Sequence, residues 1–106
     1  MKNWYLATCV VKLGTVQSIN DGDGVNGPVK GYAINLGVSG VDLMHAMNQA
    51  ERIAFSTFPG QRAGNYLEEV SIKETALETL REQLKIEDHD VTGDIIYRSK
   101  LIYFDE

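Results

Sequence analysis

Along the first third of the chain, apolar and polar side chains alternate instead of recurring at helical spacing. Over residues 4–13 one row holds Tyr5, Ala7, Cys9, Val11 and Leu13 and is wholly apolar, while the other holds Trp4, Leu6, Thr8, Val10 and Lys12 and is mixed. Period two among β-branched and aromatic residues predicts a strand, central in its sheet. Its second face is too apolar for open solvent, which calls for a helix, another strand layer or a second subunit over part of it. Residues 14–19 predict a weaker continuation, and the Gly-, Asp- and Asn-rich stretch 20–28 predicts a loop. Alternation resumes over residues 29–38, with Tyr32, Ile34, Leu36 and Val38 on one side and Ala33, Asn35 and Gly37 on the other. Antiparallel hairpin pairing with the first strand is the natural topology.

The period then becomes helical. Ser39 offers an N-cap, Asp42 a carboxylate near the positive helix end, and Leu43, Met47, Ala50, Ile53 and Ala54 share one face of a helix over residues 41–55. Asp42, His45, Asn48, Gln49 and Arg52 share the opposite face. After a loop marked by Pro59, Gly60 and Gly64, residues 66–73 predict a third strand, and Thr75 with Glu78 matches a capping box. That box opens a short helix with Leu77, Leu80 and Leu84 on one face. An acidic loop over residues 87–90 leads through Gly93 into a last strand over residues 94–104, apolar on both faces apart from Arg98, Ser99 and Lys100. The order ββαβαβ predicts an α+β two-layer sandwich: a sheet of about four mostly antiparallel strands with both helices on one face. Residues 1–106 form a single domain on this reading. The sheet face left open is a homodimer or partner surface.

Composition narrows the function classes. The 106 residues are 43% hydrophobic and 24% charged, ordinary for one globular core. A formal net charge of −5 repels polyanions and so argues against nucleic acid, while it steers a basic protein or cationic ligand toward the surface. The single cysteine, Cys9, has no intramolecular disulfide partner, and the first residues lack the basic and apolar run of a secretory signal. No apolar segment approaches the ~20 residues of a membrane-spanning helix, so the expectation is a cytoplasmic protein with no membrane role.

The candidate chemistry is thin. Gly22, Gly24 and Gly27 satisfy G-x-G-x-x-G, but Pro28 and a strand follow where a helix is needed, and Asp21 and Asp23 would repel phosphate. The same two aspartates begin a calcium-loop pattern that fails at Val25 and at Tyr32, where oxygen ligands belong. Glu87, Asp88, His89 and Asp90 crowd oxygens around an imidazole, a pattern read here as a solvated acidic loop and not as a metal site. Cys9 lies in an apolar strand row and reads as core, and Ser39 lacks the spacing of a nucleophile elbow. Tyr97 and Tyr103 alternate onto one side of the last strand and Arg98 and Lys100 onto the other, which weakens a nucleic-acid surface.

With Trp4 and Tyr5 in its first strand and Gly93, Asp94, Tyr97 and Arg98 in its last, the chain resembles a family of small uncharacterised bacterial domains. The resemblance implies the fold and an alanine-bearing helix between the two, met here by Ala46, Ala50 and Ala54. It implies no activity, and the glycine-rich loop over residues 20–27 departs from the pattern.

These readings point away from an enzyme and toward a non-enzymatic protein-interaction domain, of the kind exemplified by immunity proteins that neutralise a toxin. The expected contact charges are Glu68, Glu69, Glu87, Asp88 and Asp90, with no cofactor and no metal. The partner is a basic protein or a second copy of the chain. The alternative is a small homo-oligomeric enzyme or ligand-binding domain whose interface pocket carries His45, Arg52, His89 and Arg98, with Arg62 beside them.

Overall fold

The computed structural model describes residues 3–20, 26–84, 86–89 and 95–104. In chain order the elements are β1 (Asn3–Asn20), β2 (Asn26–Gly40), α1 (Leu43–Ser56), β3 (Tyr66–Thr75), α2 (Leu77–Gln83), β4 (Ile86–His89), β5 (Ile95–Arg98) and β6 (Ile102–Phe104). One antiparallel sheet takes the order β3-β1-β2-β5-β4, with β6 pairing to β2 in line with β5. The α+β class, the two helices and the antiparallel sheet agree with the sequence pattern. The strand count is higher because the stretch read as an acidic loop contains β4, paired to β5, and because the last strand is split in two.

Register assigns the faces. Cys9 stands opposite Ile34 on one side and Val70 on the other, so Tyr5, Ala7, Cys9 and Val11 share a face with Ile34, Leu36, Val38, Val70 and Ile72. Over that face α1 lays Ala46, Ala50, Ile53 and Ala54, all buried, and their small side chains permit close approach. Tyr32 fills the far end of this core. It stacks on Phe58 with ring centroids 4.9 Å apart, meets Tyr103 edge-on at 6.4 Å, and donates its hydroxyl to the Ala54 carbonyl at 2.7 Å.

The second helix corrects the expected layering. Leu6 stands opposite Gly37, and a Cβ on Gly37 would lie 3.0 Å from Leu80 of α2. Leu80, Leu84 and Tyr97 form a second buried cluster with Trp4, Leu6 and Leu77 packed on it, and Trp4 meets Tyr97 edge-on at 5.9 Å. These residues belong to the β1 row that turns away from α1. Thus α2 lies on the opposite face, and the helices flank the sheet where both were expected on one side. The cause is the mixed row itself: Trp4 and Leu6 are too apolar to leave wet, and the glycine opposite them leaves a hollow that a leucine fills.

Three local expectations also shift. Asp42, not Ser39, caps α1, its Oδ1 accepting from the His45 N–H at 2.8 Å, because Ser39 is still paired to Trp4 in the ladder. Thr75 does not cap α2, since it is held opposite Trp4 as the last residue of β3 and Ala76 takes the cap position. Leu43, expected on the buried face of α1, is 49% exposed because the helix starts two residues later than predicted and turns its first residue outward. Replacing Leu80 with Ala removes the plug over Gly37, with an expected loss of about 3 kcal/mol in urea unfolding. Exposed Glu82→Ala is expected to stay within about 0.5 kcal/mol of the parent.

Candidate functional site

Two surfaces have site-like form: the outer edge of β3 and a cleft where the β1–β2 hairpin meets the α1–β3 loop. On β3, Leu67, Val70 and Ile72 are half-buried against the core beneath α1, while Glu69, Ser71 and Lys73 are exposed. A bulge interrupts the alternation. Val10 pairs with Glu69 and Val11 with Leu67, so Glu68 is the extra residue and shares the outward face with Glu69. There Glu68 Oε2 lies 4.0 Å from Lys12 Nζ, and the same ammonium sits 5.1 Å from the centre of the Phe104 ring. β3 pairs with β1 alone among the described residues, so ten residues of backbone have one unladdered side.

The cleft arises from a second irregularity. Lys12 pairs with Gly31 and Gln17 with Val29, leaving residues 13–16 opposite Lys30 alone. This brings Gln17 against the α1–β3 loop, where its side-chain amide imitates a backbone rung. It donates to the Gln61 carbonyl and accepts from the Gln61 N–H, both at 2.8 Å. Asn65 accepts from the Gly14 N–H at 3.0 Å and donates to the same Gln61 carbonyl at 3.0 Å. Gly14 and Gly64 meet so closely that a Cβ on Gly14 would stand 2.9 Å from the Gly64 backbone, and Gly64 takes a φ of +79°, accessible to glycine without strain. Residues 15–18 and 59–61 line an open cleft of about 480 Å³. Its hydroxyls and amides offer hydrogen bonds, but no lining side chain titrates, so it has no group for proton transfer.

The residues singled out from sequence do not converge. Glu68 and Glu69 stand on β3, and Glu87 and Asp88 on β4, at opposite edges of the sheet and four strand spacings apart, about 19 Å. Asp90, Gly93 and Asp94 lie outside the described residues, as do Asp21 to Gly24. His45 is occupied locally: its Nδ1 accepts from the Val41 N–H at 3.2 Å and closes the corner into α1. Arg52 donates to the Gln49 side chain one turn back. His89 belongs to β4, and Arg98 is half-buried opposite Leu36. None of the four lines the cleft. Gln17, Gln61, Asn65 and the cleft went unread, because the amide pairings join positions 44 and 51 residues apart with no sequence signature. Among the described residues no group of three or more His, Cys, Asp or Glu side chains is placed to hold a metal ion, and no helix is long and apolar enough to cross a membrane.

No protein family, curated protein or solved structure matches the chain.

Cys9 is wholly enclosed, and burial pushes its thiol up to about 11, with the Glu51 carboxylate adding to the rise. Burial likewise raises the Tyr32 phenol to about 12; the Arg62 charge opposes this, and Cys9 and Tyr103 add to it. A thiol held neutral at physiological pH is no nucleophile. Both folded-state values stand above the ordinary ones of 9.0 and 10.0, so the unfolded chain releases these protons first. Stability from Cys9 is complete below pH 9 and lost as pH rises toward 11. Chemical unfolding at stepped pH should show that decline, and Cys9→Val should flatten its first part; an unchanged alkaline profile in the variant would assign the loss elsewhere.

Proposed function

We propose that the chain is a non-enzymatic protein-interaction domain that receives its partner along the outer edge of β3. The observation carrying this reading is the ten-residue edge strand with one paired side, whose exposed side chains include Glu68, Glu69, Lys73 and Glu74. Such an edge binds an added strand through backbone hydrogen bonds, and its side chains select the partner. The net charge of −5 favours a basic protein, which supports the finer expectation of an immunity-type protein that masks a toxin. Glu87 and Asp88 would then form a second acidic contact at the far edge of the sheet. A cytoplasmic setting belongs to the same reading, in keeping with one buried thiol and no second cysteine. So does kinship with the small bacterial domains, whose opening Trp-Tyr corresponds here to Trp4 and Tyr5 and whose closing Tyr-Arg corresponds to Tyr97 and Arg98.

A second reading has its own observation in the cleft beside Gln17, which has the volume of a small-ligand site. Thermal shift with a metabolite set tests it, since a ligand selective for the folded chain raises its melting temperature.

For the leading reading, cross-linking in the organism of origin should join Lys73 to a single protein, and Glu68→Arg with Glu69→Arg should reduce the yield severalfold. Cross-links confined to surfaces away from β3 would overturn the edge as the docking site.

A further inference from the structure

We propose that the occupant of the β3 edge is a second copy of this chain, paired antiparallel about Ser71 so that two sheets run on as one. The inference rests on the reading of β3 as a docking edge, puts a second copy there in place of the basic protein, and leaves the β4 edge for a basic partner. A two-fold axis normal to the sheet keeps each face on its own side, which requires a residue at the centre of the pairing. Centring on Ser71 sets Glu69 opposite the partner's Lys73, Val70 opposite the partner's Ile72, and Ser71 opposite its own copy, and the symmetry repeats the first two pairs. The segment Glu69-Val70-Ser71-Ile72-Lys73 is therefore self-complementary in both charge and polarity.

Face assignment supports the match. Val70 and Ile72 lie on the α1 side, packed half-buried against the core, and their copies would extend that apolar surface across the seam. Glu69 and Lys73 lie on the other face, exposed, and about 13 Å apart along their own strand, too far to pair within one protomer. Neighbouring registers fail: a centre at Val70 sets Ile72 against Glu68, and a centre at Ile72 sets Val70 against Glu74. The chosen register places Glu68 across from Glu74, which would repel were they on one face. The bulge prevents it. Glu68 turns toward Lys12, whereas Glu74, opposite Tyr5, belongs to the α1 side. In this dimer Glu69 is consumed by the seam, and the carboxylate positions left at the outer edges are Glu87 and Asp88 on β4.

Five paired positions bury less than the ~1,600 Å² of a standard interface, so the dimer should dissociate on dilution. Sedimentation equilibrium of the full chain from about 5 to 500 µM should show the mass climb from 11.8 kDa toward twice that value. Glu69→Lys and Lys73→Glu singly set like charges across the seam and should weaken self-association about tenfold or more, with circular dichroism unchanged. Combined, they restore opposite charges and should recover the dimer. A monomer at every concentration, a dimer indifferent to the single reversals, or a double variant no better than the singles would each overturn the proposal. Cross-links from Lys73 to another protein alongside a monomeric chain would overturn the self-pairing while leaving β3 as a docking edge.

Discussion

The structure depends on the alternation of β1, a strand with antiparallel neighbours on both sides and apolar residues on both faces. From Trp4 to Lys12 each residue is specified three ways, by face, by its partner on β2 and by its partner on β3. A slip of one position would trade Tyr5, Ala7, Cys9 and Val11 for Trp4, Leu6, Thr8 and Val10 and bring Thr8 under α1. The polar centre of the second face opposes that slip, for the Thr8 hydroxyl donates to the Asn35 side chain at 2.7 Å. The helices follow from this strand: α1 needs the wholly apolar row, and α2 needs Trp4 and Leu6 beside the gap at Gly37.

The parts of the fold legible in advance were those that depend on nearest neighbours along the chain. The alternations of β1 and β2 and the alanine-lined face of α1 state their own periods, and each appears in the structure. The side taken by α2 depends on the vacancy that Gly37 offers across a ladder, and a pattern within residues 77–84 has no access to it. The split of the last strand is similar in origin. Ser99 turns its hydroxyl to the Asn35 N–H at 3.0 Å while its own N–H reaches the Asn35 carbonyl at 2.9 Å, so a side chain replaces one rung and the last strand takes on an extra residue, with residues 99–101 spanning Ile34 and Asn35 of β2. The same reach across distance explains why the acidic residues gathered in one imagined contact lie at two sheet edges. Charge was readable, and strand order was not.

The apolar excess that suggested a covering partner is largely met within the chain. Trp4 and Leu6 lie beneath α2, Tyr97 is buried beside them, and Tyr103 packs against Tyr32. What stays open is the far half of that face, with Ile102 57% and Tyr66 56% exposed. The argument for association therefore moves from the sheet face to the sheet edge, where backbone groups and complementary charges supply direction. The buried titratable groups fit this division of labour: Cys9 and Tyr32 are kept neutral inside, and carboxylates stand at the rim.

The chain contains one tryptophan, and it lies in the smaller of its two cores. Lifting a seven-residue helix would wet the indole of Trp4 while leaving the stacked rings of Tyr32 and Phe58 undisturbed beneath α1. The single indole is thus a native optical reporter on one side of the sheet, able to tell loosening of the thin layer from collapse of the whole.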